Sequence, residues 1–569
     1  MVVKASRLEG EAVHMRLVIV LAGIALISVL ALSPSTAGSS VTGPEQLQLS
    51  LASALRPSHG GPPAAPLGFL PLHPREFALA KAAANNRAGL GVNNAKPRGG
   101  GGGGPTVTSY PNVTPSFNGT YQTGLTPPDT TGAIGTDRYI ETVNTKYAIY
   151  GRTGSQINSG TLSSLTGIST GLFGYSLSDP QMLFDVKTQR FYYVAVYYDS
   201  LFLSDNGIAI GWSKTATPAS SADFCQYAIS FGAELPDYPK LGDSSDFLLA
   251  GFNQFGNGAS TYDGSAFVTL NKPLTGSECA ATSSFKVYKS TVLQNGDGTP
   301  AATPVPANLV DDGSGGGAGY VVANADLSTT SSAGFVSVYK VTTSGVVGGI
   351  PIPFVSAVTS VSVPSYSMPS SAPQKGSSYL LDTLDGRFEA AVAAVDPTRG
   401  AVAVWTAHAV YGGSGSAGSE ERWYEIDPNA GTVLQSGSVG NSSLFVWNGA
   451  VSPDRNGTTG SFGGSMAMSV STSSLTTYPA IQFVTKQAGS VQSSPVTPNN
   501  LVQATGPNVD FSCSSTTPCR WGDYSGASPD PNPGSTTAGK VWLANQYNTA
   551  SGSTSGTAWR TWLFAVTPG

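Results

Sequence analysis

Beyond about residue 110 the chain alternates in short runs. Apolar and aromatic residues take every second position, and clusters of Gly, Pro, Asp, Asn and Ser separate the runs. Residues 139–150 (YIETVNTKYAIY), 191–198 (FYYVAVYY), 247–252, 335–341 and 401–409 are predicted as strands. The turns carry their own signal. VDPTRGAV around Asp396 and IDPNAGTV around Asp427 share D-P-x-x-G-x-V. In such a hairpin Pro fixes φ and Gly takes the left-handed position. FDVKTQRF from Phe184 is the same turn without its glycine. No long helical pattern follows residue 110.

A longer period overlies the alternation. An acid beside Pro or Gly opens a segment, a short turn follows, and an aromatic β-rich run comes next. The phrase reads PPDTTGAIGTDRYIETVN from Pro127, SDPQMLFDVKTQRFYYVAVYY from Ser178 and PDYPKLGDSSDFLLAGFN from Pro236. It returns as LDGRFEAAVAAVDPTRGAVAVWTAH from Leu384 and WGDYSGASPDPNPGSTTAGKVWLANQY from Trp521. Repeats of roughly forty to sixty residues with several strands each predict an all-β β-propeller of six or seven blades. The last run, Trp559–Val566 (WRTWLFAV), is a strand expected to close the ring with a segment from the other end. Propellers set the first strand of each blade around one channel, so the repeated acids are expected to converge there.

The pattern before residue 110 differs. An apolar run at 17–32 (LVIVLAGIALISVLAL) follows Arg16 and precedes the small residues Ser35, Thr36 and Ala37. It is short for a membrane span, so residues 1–37 are expected as a signal peptide, the alternative being an uncleaved anchor. Met15 is the expected true start, because Glu9 and Glu11 sit oddly in a signal's leading region. Residues 38–109 are rich in Ala, Pro, Gly and Asn and end in a glycine run at 99–104. They are expected as a flexible tether or pro-segment with one helical patch at 75–86 (REFALAKAAANN). The propeller is assigned to 110–569.

Composition narrows the setting. Charged residues make up 11% of the chain, against about 25% in average proteins. The net charge of −5 leaves no basic footprint for nucleic acid. Four cysteines, Cys225, Cys279, Cys513 and Cys519, suit two disulfides in an oxidising compartment. Three pairings are open. Joining Cys513 to Cys519 closes a short loop and leaves Cys225 with Cys279 to link neighbouring blades. The expectation is a secreted, monomeric protein with no membrane contact once the signal is removed.

The phrases PDTTGAIGTDRYIETVN, DPQMLFDVKTQRFYYVAVYY, DYPKLG and RWGDYSGASPDP resemble those of secreted bacterial β-propellers grouped as sialidase-like, over roughly residues 120–567. The resemblance implies a propeller and export, and brings no assigned reaction. The sialidase Asp-box, S-x-D-x-G-x-T-W, is not intact. SPDRNGTTGSF at Ser452 and SPDPNPGSTT at Ser528 carry extra residues before the glycine and are expected as Asp-stabilised turns.

The candidate chemistry rests on a short set of residues. Asp129, Asp179, Asp237, Asp385 and Asp523 open the repeated phrases. Crowded at one mouth they would raise one another's pKa values or hold a cation, for which Ca²⁺ suits an all-oxygen site. The competing expectation is that each acid caps its own turn. Arg387 and Arg520 lie beside these acids and Arg422 follows a Gly/Ser loop. Guanidinium groups there could bind an anionic sugar or simply pair with neighbouring acids. His408 is the one histidine within 110–569 and the one near-neutral acid–base group, with Tyr424 close in sequence. Asp129, Asp523, Arg387, Arg520 and His408 are therefore the candidate catalytic residues. Asp179, Asp237, Asp385, Arg422 and Tyr424 are the candidate ligand contacts. The expected function is binding of an extracellular glycan or surface polymer at the propeller mouth. One alternative is glycan cleavage by a sialidase-like glycoside hydrolase or a polysaccharide lyase, the former requiring two carboxylates. The other is a structural surface protein.

Overall fold

Among the described residues the alternating runs form seven sheets of four or five strands, antiparallel except where Asn308–Leu309 adds a parallel edge to the fifth, and they follow one another as the blades of a β-propeller. The computed structural model describes residues 45–56, 70–90, 104–122, 125–170, 174–199, 203–256, 258–276, 278–290, 292–311, 316–455, 464–492, 495–514, 516–531, 539–549 and 559–568. The signal segment, most of the glycine run and parts of the turns after Ser452 and Ser528 lie outside these residues. The inner strands of blades 1 to 7 are Thr131–Ile134, Tyr175–Asp185, Leu235–Asp243, Ala301–Pro306, Phe388–Asp396, Phe445–Pro453 and Gly526–Pro529. Blades 4 and 6 lack the acid-led phrase, which is why the repeat alone left the blade number open.

Blade 7 closes the ring. Its three inner strands are C-terminal, and Val113–Gln122 supplies its outer strand by pairing with Trp559–Val566. Other N-terminal segments also sit on the propeller. Glu45–Leu47 and Leu49–Leu51 extend the outer edges of blades 3 and 2, and Thr106–Val107 extends blade 6. The helical patch is helix Pro74–Arg87, entered through a proline at its first turn.

Residues 139–150, expected as one strand, are two: Arg138–Val143 and Lys146–Gly151. The polar pair Asn144–Thr145 turns the chain between them. The two D-P-x-x-G turns form as expected. Gly400 and Gly431 take positive φ, and the Asp396 and Asp427 carboxylates accept backbone N–H groups two residues on. In the turn without glycine, Gln189 adopts φ 55° in its place.

Aromatic side chains fill the spaces between blades. Tyr139 of blade 1 stacks on Trp542 of blade 7 with centroids 5.4 Å apart, and Trp212 stacks on Tyr227 within blade 2. Both disulfides are formed, Cys225–Cys279 and Cys513–Cys519. Among the described residues no helix is long and apolar enough to cross a membrane.

One buried ionic group ties blade 2 to blade 3. Lys272 Nζ donates to Asp185 Oδ2 at 2.8 Å and to Asp243 Oδ2 at 2.7 Å, and Asp243 Oδ1 accepts the Leu309 N–H. Removing a partner from such a group strands charges away from water. Lys272→Met is expected to cost about 3–5 kcal/mol, read as a lowered denaturation midpoint. A loss well below that range would show that the two acids are held without the lysine.

Candidate active site at the propeller mouth

The site begins with a backbone irregularity. At the head of an inner strand one extra residue bulges out of the ladder, opposite a single residue of the next strand. The bulged pairs include Asp179-Pro180, Tyr238-Pro239, Thr303-Pro304, Glu389-Ala390 and Asn448-Gly449. Asp129, Asp179, Tyr238, Thr303 and Asn448 all have φ between 48° and 57°. Bulges re-aim side chains and end pairing, and here they turn them to one end of the central channel. The repeated element is therefore the bulge rather than the acid. In blade 3 the left-handed position belongs to Tyr238, with Asp237 one residue before it.

Asp129, Asp179, Asp237 and Asp523 act on one another at one mouth, and Arg387, which acts on Asp237, holds the fifth acid, Asp385. Asp129 Oδ1 accepts the Asp523 N–H at 2.8 Å, and its other oxygen accepts the Asn144 amide. Asn144 Oδ1 accepts the Asp179 N–H at 2.8 Å, and the Tyr524 hydroxyl donates to Asp179 Oδ2 at 2.6 Å. Arg387 holds Asp385 through two bonds of 2.7 Å. Arg520 donates to both oxygens of Asp523 and, at 2.8 Å, to Asp382. Asp237 feels Asp179, Arg387, Asp523 and Arg520.

Tyrosines and a lysine fill the centre. The rings of Tyr238 and Tyr524 stack at 4.7 Å, and the Tyr238 hydroxyl donates to the Asp523 carbonyl at 2.8 Å. Lys240 Nζ lies 3.8 Å from the Tyr524 centroid and 4.1 Å from that of Tyr238, and donates to the Glu389 carbonyl at 2.7 Å. The Asn448 amide, oriented to satisfy its neighbours, donates to Glu389 Oε2 at 2.9 Å. Below this layer the channel holds a cavity of about 50 Å³ floored by Lys240 and Glu389.

The environment separates the acids. Burial, then Asp523 and Asp179, push Asp129 well above the usual carboxylate range. Burial and Asp523 push Asp179 up to about 6. Burial and Asp179 raise Asp237, against the pull of Arg387. Burial would also raise Asp385, but the Arg387 guanidinium outweighs it and holds this carboxyl low. Asp129, Asp385 and Asp523 are buried and taken up by internal partners, whereas Asp179 and Asp237 are half-buried and reach the open side.

His408, Arg422 and Tyr424 belong elsewhere. His408 is buried in blade 5, its ring 4.8 Å from that of Phe388, bonded to the Gly386 carbonyl and the Tyr424 hydroxyl. Burial drops its pKa to about 3, so it stays neutral and serves packing. Arg422 pairs with Glu420 and donates to the carbonyls of Pro364 and Ser365. Among the described residues no three His, Cys, Asp or Glu side chains converge as a metal site. Glu389 and Glu421 are among the carboxyls that glycosidase chemistry could draw on, and Glu389 does lie at the mouth. The residues that sequence reasoning missed are Asn144, Tyr238, Lys240, Asn448 and Tyr524, of which Asn144, Tyr238, Lys240 and Tyr524 lie within the repeated phrases.

The helix Pro74–Arg87 lies against this mouth. Lys81 is buried, and its Nζ donates to the Pro369 carbonyl at 3.0 Å, to Thr383 Oγ1 at 2.7 Å and to the Leu384 carbonyl. Burial lowers its pKa to about 8, against the opposing effect of Asp382 and Asp385.

No family model matches the chain, and no curated protein does. Solved structures with a related arrangement include the exo-β-1,3-galactanase of Phanerochaete chrysosporium with galactose, at 11% identity and TM-score 0.26, over 76% of this chain and 91% of that one. The exo-β-1,3-galactanase of Clostridium thermocellum has 8% identity and TM-score 0.25, over 76% and 95%. The phage phi92 endosialidase has 7% identity and TM-score 0.27, over 78% and 67%. Similarity at this level assigns no chemistry to the mouth.

A further acid borders the site. Glu421 is buried beside Glu389, and neither of its carboxyl oxygens has a hydrogen-bond partner. Burial, then Glu389, raise its pKa well above the usual value. A raised carboxyl favours the fold in its protonated form, and that contribution disappears as pH climbs through the raised value. Glu421→Gln is expected to leave the melting temperature unchanged at acid pH and to raise it increasingly toward alkaline pH. Melting curves across the pH range check this, and a constant difference at every pH would contradict it.

Proposed function

We propose that this mouth binds a glycan and cleaves it by glycoside hydrolase chemistry, with Asp179 and Asp237 as the working carboxyls. The observation that carries the proposal is the separation of the acids. Three are committed to internal partners, while two on adjacent blades are half-buried, near enough to affect each other's ionisation, and reach the open side. Interacting carboxyls hold one proton between them over a wide pH range, so one group can protonate a leaving oxygen while the other acts as base or nucleophile. Asp237, which burial and Asp179 push well above the usual carboxylate range, is assigned as the acid, and Asp179, pushed up only to about 6, as the base or nucleophile. Tyr524 orients Asp179 through its Oδ2. Tyr238 and Tyr524, both buried, stack on each other and back the site, and Arg387 and Arg520 fix the surrounding acids rather than the ligand.

The two disulfides support a working place outside the reducing cytosol, in keeping with an exported glycan-acting protein. Binding without cleavage is the second reading. It is favoured by the helix that stands over the mouth with Lys81 in place, as a cover would.

The test is a reducing-end assay over a panel of neutral, acidic and amine-bearing polysaccharides. Asp179→Asn and Asp237→Asn are each expected to lose about 10²- to 10⁴-fold in rate with the fold retained. The wild-type rate should fall as pH drops below about 6, because Asp179 then takes up a proton and can no longer act as base or nucleophile. Binding that persists with no cleavage on any substrate would leave the mouth as a recognition site.

A further inference from the structure

Residues 70–90 form a strap across the mouth face, and one side chain in it is placed as a ligand would be. Lys81 carries three N–H donors and finds three acceptors, Thr383 Oγ1 and the carbonyls of Pro369 and Leu384. Each comes from chain some 290–300 positions away. Asp382 and Asp385 flank this socket. The result is a built site for a primary ammonium, which offers three donors and no acceptor.

Elsewhere in the strap Leu72 and Ala84 are buried, Phe77, Ala80, Ala88 and Leu90 are partly buried, Asn85 Oδ1 accepts the Ser371 N–H, and Leu79 is exposed. A fourteen-residue helix is marginal in water without packing. At its N-terminal end Leu72 packs into the propeller in a cluster with Tyr198, Leu235 and Phe255. His73 stands 3.4 Å from Asp326 and edge-on to Tyr262, over a cavity of about 200 Å³ also lined by Asp297 and Phe335. No Lys or Arg lines that cavity.

Charge points the same way. Without Lys81 the socket is left beside Asp382 and Asp385, with Arg387 and Arg520 nearby. Both arginines are engaged by Asp385 or by Asp382 and Asp523. Such a socket repels a carboxylated sugar and attracts a cationic one.

We propose that the glycan of this site carries free primary amines, and that Lys81 fills the amine subsite in cis until the ligand displaces the strap. This rests on the glycan-acting reading above and names its substrate class.

The experiment uses the full chain, with β-1,4-linked glucosamine oligomers as probe and their N-acetylated counterparts as control. Binding is read by calorimetry, and strap docking by hydrogen exchange of amides 74–87. The amine oligomer is expected to bind and to speed exchange in the strap, with the acetylated oligomer at least about tenfold weaker. Lys81→Ala should bind the amine oligomer about tenfold more tightly, because a competing occupant is gone. Thr383→Val, of similar shape without the acceptor, should bind it about tenfold more weakly. Equal binding of the two oligomers, binding with strap exchange unchanged, or no binding to Lys81→Ala would overturn the proposal. Strap displacement without cleavage would sink the hydrolase reading and keep the socket. Cleavage of the acetylated oligomer with the strap undisturbed would do the reverse.

Discussion

The mouth depends on one backbone constraint, the left-handed residue at the head of the inner strands. For a residue with a Cβ this conformation costs roughly 1–2 kcal/mol, so each case must be over-determined by its surroundings. Asp129, Asp179 and Asn448 have short polar side chains that bond locally. Tyr238 and Thr303 do not share that advantage. Tyr238 is held by its stack on Tyr524 and its bond to the Asp523 carbonyl. Thr303 exchanges two hydrogen bonds with Asn253 of the neighbouring blade. The turn that strains one strand is thus paid for by contacts to other blades, and the irregularity and the inter-blade network come as one feature.

The network also explains why a chain with so few charges buries several of them together. Arg387–Asp385 is a salt bridge shut away from water and Arg520–Asp523 a partly buried one, and breaking a fully buried pair commonly costs about 3–5 kcal/mol. Substitutions at these four residues would therefore lower stability and activity at once, and a lost activity would say little about chemistry. Asp179 and Asp237 differ, since water reaches them and no cation is bonded to them. Function can be separated from folding there, although neither acid looks special in the sequence beside the other three.

Much of the architecture was legible because hairpins announce themselves locally. Alternation, D-P-x-x-G turns and the aromatic terminal run each report on residues close in sequence. The blade number was less so, because Thr303-Pro304 and Asn448-Gly449 make the same bulge as Asp179-Pro180 without an acid to mark it. The five acids were found through their phrase, and they do meet. What could not be read was which partner each would take, since Arg520 reaches back 138 positions to Asp382 and Tyr524 reaches 345 to Asp179. His408 drew attention for its titration range, but a histidine on a strand buried against Phe388 and Tyr424 is neutral packing material. Lys81 lay in a segment whose composition suggested little order, and only its acceptors, distant in sequence, give it a place.

Closure of the ring sets the order in which this protein can become complete. Blade 7 needs both the early strand Val113–Gln122 and the last one, Trp559–Val566. While the ribosome is still adding the C-terminal residues, the early strand has no partner and its edge stays open. The other blades can pair as they emerge, but blade 1 lacks its neighbour and the Asp523 N–H has not yet reached Asp129. The mouth is therefore complete only once blade 7 has paired, and a chain lacking that blade would carry six sheets in an open ring and no site.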